Sequence, residues 1–139
     1  MSQETTLILL KPDTITKGHA GLVLQRFEAA GFKIRGLKMM QLTDEILAAH
    51  YSHIADKPFY PEVAKFMQLT PVIALALSGP NVITAIRDML GPTDSRKAPP
   101  GTIRGDLGVD NMTNVCHASD GPQAATEELQ RFFKEEEIF

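Results

Sequence analysis

The chain has 139 residues, enough for one domain around one continuous core and too few for two domains of ordinary size. Apolar residues make up 43% and charged residues 22%, which excludes the apolar-poor composition of a disordered chain; a formal net charge of -3 argues against non-specific nucleic-acid binding through bulk charge. No apolar run approaches the ~20 residues needed to cross a bilayer, the lone Cys116 has no internal disulfide partner, and the opening MSQETTLILLKPD lacks the basic lead-in of a signal peptide, so a cytoplasmic setting is expected.

In chain order, Thr5–Leu10 is a nearly continuous apolar run ended by Lys-Pro, which predicts a strand deep in a sheet. Ala20, Val23, Leu24, Phe27 and Ala30 share one face of a helix that Gly31 closes. Phe32–Met40 opens with alternating apolar and basic residues, the pattern of a strand with one wet face, and Gly36 marks a bulge in it. A helical hairpin follows, over Asp44–His50 and Glu62–Leu69, turning at Lys57-Pro58. Val72–Ser78 repeats the apolar run of the first strand and ends at Gly79-Pro80, where proline suits the first turn of a helix carrying Val82, Ile86, Met89 and Leu90. Gly91–Thr113 is dense in glycine and proline and shows no period; a loop that long in a small domain is usually functional or disordered. A short fourth strand is expected at Asn114–His117, then a helix opened by Asp120-Gly121-Pro122 with Ala125, Leu129, Phe132 and Phe133 as its buried stripe.

The order β-α-β-(αα)-β-α-β-α predicts an α+β, ferredoxin-like (split βαβ) domain over residues 1–139, with helices on one face of a four-stranded, mostly antiparallel sheet. Phosphate-binding devices of the GxxxxGK[ST] and GxGxxG kinds are missing, as is a kinase DFG, so any phosphate site must be built otherwise. Lys11 after the first strand, Arg87 on a helix and Arg104 in GTIRGD are the candidate cations. Taken singly they read as a solvated strand end, a solvated helix face and a loop charge; together, with Thr93 as a hydroxyl donor, they suit polyphosphate oxygens.

His117 stands in NVCHASDGP, where Ala118 leaves the ring uncovered, Ser119 offers a hydrogen bond to orient it, and Asp120 caps the following helix. A histidine at a strand end also serves to satisfy a buried hydrogen bond. Cys116 is the second candidate nucleophile, but on a strand it faces away from His117 and reads as a buried structural thiol. His50 and His53, as H-x-x-H on a short helix, are a possible metal pair; with no third ligand in sight, a solvated face is expected. Tyr51 and Phe59 read as core aromatics unless exposed beside a cleft, where a ring would stack on a base.

Together these residues resemble the nucleoside diphosphate kinase family over essentially the whole chain. The family signature N-x-x-H-[G/A]-S-D stands here as Asn114-Val-Cys-His117-Ala118-Ser119-Asp120. The Thr-Leu-Ile-Leu-Leu-Lys-Pro-Asp start, His50-Tyr51, Lys57-Pro58-Phe59-Tyr60 and Gly101-Thr-Ile-Arg104-Gly-Asp106 follow in the family's order and spacing. The resemblance implies transfer of the γ-phosphate of a nucleoside triphosphate to a nucleoside diphosphate, by a ping-pong route through a phosphohistidine on His117, with tolerance of base and sugar.

By the same resemblance, Lys11 and Asn114 contact the ribose hydroxyls, Phe59 stacks on the base, and Arg87, Thr93 and Arg104 grip the phosphates. Tyr51 orients groups around the histidine, while Ser119 and Glu128 hold the imidazole. Mg²⁺ arrives on the nucleotide rather than in a protein cage, ATP is the main donor, and the assembly is a homo-oligomer of bacterial type that needs no nucleic acid or membrane. Ser95 replaces a proline common in the family, and the chain ends at Glu135-Glu-Glu-Ile-Phe139 without the longer tail of eukaryotic members; both bear on subunit contacts. The competing expectation is a nucleotide-binding regulatory module of the same fold that never turns over. His117 in its full setting argues against it, since such a module needs no nucleophile there.

Overall fold

The computed structural model describes residues 3–139. Alternation along strand β1 (Gln3–Leu10) organises the interior. Leu7 and Leu9 face a cluster with Ala74, Ala76, Met67 and Phe132, while Ile8 and Leu10 face one with Val23, Phe27, Leu75 and Ile86. All of these side chains are essentially excluded from solvent, each worth roughly 1.5–3 kcal/mol for the larger ones.

Both faces of β1 are therefore covered. Helix α2 (Ala20–Ala29) lies on the Ile8 side, and α3 (Asp44–His50) and α4 (Tyr60–Met67) lie on the Leu7 side. This corrects the expectation of helices on one face: two central strands without a polar face require two helical layers. The other strands are β2 (Lys33–Met40), β3 (Val72–Pro80) and β4 (Cys116–Ala118). The sheet runs β2-β3-β1-β4 with every pairing antiparallel, the split βαβ arrangement expected from the element order.

Gly31 closes α2 with φ 94, a left-handed conformation that favours glycine. The β2 bulge falls between Ile34 and Gly36. A Cβ on Gly36 would lie 2.8 Å from the Glu137 carbonyl and 3.2 Å from the Phe133 ring, so this glycine lets the C-terminal segment pack on the strand.

Several boundaries differ from the sequence reading. Pro80 ends β3 instead of opening a helix; Asn81, with φ 54, turns the chain, and α5 (Val82–Leu90) starts after it. The hairpin helix α4 starts and stops two residues earlier than expected, with Pro61 in its first turn, and residues 51–59 form a run of turns between α3 and α4. Two five-residue helices went unread: α1 (Pro12–Thr16) and α6 (Ile103–Leu107). Neither is long enough to display a period.

Helix α6 shows that the Gly91–Thr113 segment is ordered. Thr102 caps it by accepting from Gly105 N–H at 3.0 Å, and Asp94 caps a 3₁₀ turn at Ser95–Lys97. The last helix, α7 (Pro122–Phe132), has Gly121 rather than Asp120 at its N-cap and no side-chain cap; Asp120 is exposed one residue earlier.

Candidate active site

The sheet, α3, α5, α7 and the long loop enclose a cavity of about 630 Å³. Every residue singled out from the sequence for chemistry or nucleotide contact lines it, except Ser119. That volume lies within the range of small-molecule sites.

Strand β4 presents His117. Opposite Leu9 in the sheet, its side chain is 24% exposed, while Cys116 next to it is fully buried in the core. Burial pushes the Cys116 thiol up to about 12, so it is protonated and inert, as its alternate facing suggested.

The strand begins later than Asn114 because Val115 has φ 79 and Cys116 N–H donates to the Asn114 carbonyl at 3.0 Å, a tight γ-turn. Such a conformation in a β-branched residue costs ~1–3 kcal/mol and persists only when its surroundings enforce it. Here Val115 N–H donates to Asp13 Oδ2 at 3.0 Å, and the Val115 carbonyl accepts from Lys11 N–H at 3.0 Å and from Thr14 Oγ1 at 2.5 Å. The anchors come from the start of α1, one of the elements the sequence reading missed. They fix where β4 starts and thus which residue faces the cavity.

One oxygen of Glu128, on α7, accepts from His117 Nε2 at 2.9 Å and from Ser119 Oγ at 2.7 Å. A carboxylate partner requires the proton on Nε2, which leaves the lone pair on Nδ1. Burial raises the Glu128 pKa, but the hydrogen bonds from His117 and Ser119 outweigh it, and the net shift is downward. Glu128 therefore remains ionised. The Ser119 hydroxyl does not reach the imidazole; it acts on it through Glu128, which corrects the direct bond expected.

Two of the three cations, Lys11 and Arg104, are less exposed than their sequence positions implied. Lys11, 7% exposed, donates from Nζ to the Met112 carbonyl at 2.6 Å and to Asn114 Oδ1 at 2.7 Å. Burial lowers its pKa to about 8; Asp13 opposes this and Arg104 adds to it. Asn114 continues the chain by donating to the Thr93 carbonyl at 3.0 Å. Arg104, 6% exposed, holds the carbonyls of Asn114, Gly91 and Cys116 at 3.1, 3.1 and 2.8 Å, and burial lowers its pKa. It pins both ends of the loop while lining the cavity. Arg87 is exposed and donates to the Ala118 carbonyl at 3.3 Å, directly beside His117. Phe59, 53% exposed at the cavity, is not a core residue.

His50 departs furthest from expectation. It is 8% exposed, its ring meeting those of His117, Tyr51 and Phe132 edge-on at centroid distances of 4.5, 4.8 and 5.1 Å. A solvated face holds only for His53. Burial above all lowers the His50 pKa to about 3, and burial raises that of Tyr51 to about 12. The signal was available: His50 lies three residues after the buried Leu47 and shares its inward face. Nδ1 of His50 accepts from Arg131 at 3.2 Å, and Nε2 is buried with no partner among the described residues. His50, His117 and Glu128 offer ligand atoms that all lie within 4.8 Å of one another.

An imidazole held through one ring nitrogen by a carboxylate, with three cations around it, is equipped to accept and release a phosphoryl group through the other. The comparisons with known proteins agree. The family model for nucleoside diphosphate kinase matches residues 4–138. A nucleoside diphosphate kinase from Parabacteroides distasonis is 46% identical over 98% of this chain and 89% of its own length, and one from Staphylothermus marinus is 46% identical over 99% and 98%. Among solved structures, the Aquifex aeolicus nucleoside diphosphate kinase aligns with a TM-score of 0.94 at 40% identity, over 99% of this chain and 100% of that one. The Halobacterium salinarum nucleoside diphosphate kinase in complex with CDP aligns at 0.96 and 35%, over 99% and 92%. The chain belongs to the nucleoside diphosphate kinase family and is a phosphotransferase that moves a phosphoryl group between nucleotides.

Proposed function

We propose that Nδ1 of His117 is the atom that carries the phosphoryl group, within a single domain spanning residues 1–139. The observation supporting this is the hydrogen bond of Nε2 to Glu128, which leaves Nδ1 the nucleophilic nitrogen beside the cavity. Its lone pair attacks the γ-phosphorus; the N–P bond forms as the P–O bond to the nucleoside diphosphate breaks, and the departing oxygen keeps that electron pair. The ring gains positive charge in this step, and the ionised Glu128 lies where that charge develops. A terminal oxygen of the second diphosphate then attacks phosphorus, and the lone pair returns to Nδ1.

Arg87, Arg104 and Thr93 hold phosphate oxygens in this reading, Lys11 and Asn114 the ribose hydroxyls, and the exposed Phe59 ring stacks on the base, which tolerates purines and pyrimidines alike. Tyr51 fills the wall beside His50, and Ser119 keeps Glu128 in place. Kinases of this family need a divalent metal. Two imidazoles and a carboxylate are a poor donor set for Mg²⁺, which prefers oxygens and retains water, so Mg²⁺ would be held better by the phosphates, in a cavity that Asp110 and Asp120 also line, and there it would neutralise phosphate charge.

No described helix is long and apolar enough to cross a membrane. A cytoplasmic setting, ATP as the main donor and a homo-oligomeric assembly complete the reading. Initial rates with ATP and a second nucleoside diphosphate test it: parallel double-reciprocal lines are expected, and lines that intersect at a common point would show a ternary complex and refute the covalent route.

A further inference from the structure

The H-x-x-H spacing offered a possible metal pair without a third ligand, and the structure separates its two members. His53 is exposed, whereas His50 is buried against His117 and Glu128. An unpartnered buried nitrogen is costly unless something can use it, and Nε2 of His50 is one, on a ring that offers a ligand atom to this cluster. Resting on the reading that Nδ1 of His117 is the nucleophile, we propose that His50, His117 and Glu128 form a site for a borderline divalent transition-metal cation, Zn²⁺ or Co²⁺, which reversibly silences the enzyme by taking Nε2 of His117.

Two imidazole nitrogens and a carboxylate oxygen are a donor set that these cations favour and Mg²⁺ does not. A tetrahedral site with bonds of ~2.0 Å needs ligand atoms roughly 3.3 Å apart. The present spread of up to 4.8 Å thus asks for a small inward movement, with the cavity supplying the open fourth position.

The proton balance explains the silencing. The metal takes the Nε2 pair of His117 that had held a proton. That proton moves to Nδ1, the ring stays neutral, and the pair that attacks phosphorus is gone. The same shift in His50 puts a proton on its Nδ1, where Arg131 now donates at 3.2 Å. Two donors then face each other, so Arg131 must swing towards solvent. Arg131 thereby opposes binding, and removing it favours the metal.

The test is a nucleotide-free titration of the full chain with Co²⁺, followed by the visible absorption of a tetrahedral complex. One Co²⁺ per chain is expected. Affinity should fall about tenfold or more in His50→Phe, rise severalfold in Arg131→Gln and stay unchanged in His53→Gln. A gain in Arg131→Gln is an outcome that misfolding cannot imitate. The cobalt-loaded protein should take no label from γ-labelled Mg·ATP in a single turnover and regain it after passage over a chelating resin. No absorption, equal affinity in His50→Phe, or a loss confined to His53→Gln would overturn the site. If metal-free protein labels and cobalt does not bind, this inference falls alone; if cobalt binds and metal-free protein never labels, the site stands and the silencing falls with the functional reading.

Discussion

Glu128 accepts two hydrogen bonds through one oxygen, and this arrangement sets the chemistry of His117. In Glu128→Gln the amide keeps the size of the side chain but loses the charge that meets the developing imidazolium. Turnover at saturation should fall about 100-fold while equilibrium nucleotide binding changes little; a loss of binding equal to the loss of turnover would assign Glu128 to substrate affinity instead.

His50 yields a pH prediction. Its folded pKa of about 3 lies below its unfolded value, so between about 6.5 and 3 the unfolded chain binds the extra proton, and stability is lost as pH falls through that window. Denaturation at pH 7 and pH 4 should differ by on the order of 2–3 kcal/mol from this group, and His50→Phe should shrink the difference. An undiminished difference would show that other groups carry the acid sensitivity.

The sequence named His117 and its neighbours through one compact motif, but it could not say that Ser119 works through Glu128, because that bond spans β4 and α7. Nor does a sequence show that Lys11 and Arg104 are buried. Their partners include backbone carbonyls of the long loop, which carry no sequence signal.

At the level of elements, legibility followed length. The long strands and α2 announced themselves by periodicity, whereas α1 and α6, at five residues each, did not. Both matter to the site. Helix α1 supplies Asp13 and Thr14 to hold the strained Val115, and α6 carries Arg104. The start of β4 was misplaced for another reason: positive φ at a valine is imposed by distant partners and not by local preference.

The cap of α6 gives a test at this scale. Thr102→Ala removes the acceptor for Gly105 N–H and the 2.7 Å bond to the Pro99 carbonyl. Stability should drop by about 1 kcal/mol, measured by urea unfolding, and turnover should fall with it as Arg104 loses its fixed position. Stability loss with unaltered kinetics would mean that α6 is not what positions Arg104.

Over the whole molecule, two helical layers seal the centre of the sheet. Strand β2 lies at one edge, where the C-terminal segment meets it as Phe139 N–H donates to the Arg35 carbonyl at 2.8 Å, and Leu37 and Met39 further along it are 48% and 56% exposed. Exposed apolar side chains on an edge strand favour pairing with another chain, in line with the proposed homo-oligomer. Sedimentation should give a multiple of the 15.3 kDa chain, and Leu37→Glu together with Met39→Glu should lower it; an unchanged assembly would move the interface elsewhere.

The central claim is that His117 carries the phosphoryl group, and the most direct measurement is to mix the protein with Mg²⁺ and γ-labelled ATP, remove free nucleotide and follow the label. Acid-labile, base-stable label on His117, discharged by any nucleoside diphosphate and absent from His117→Ala, is the result expected. Bound nucleotide without protein-borne label, or label that survives in His117→Ala, would contradict it.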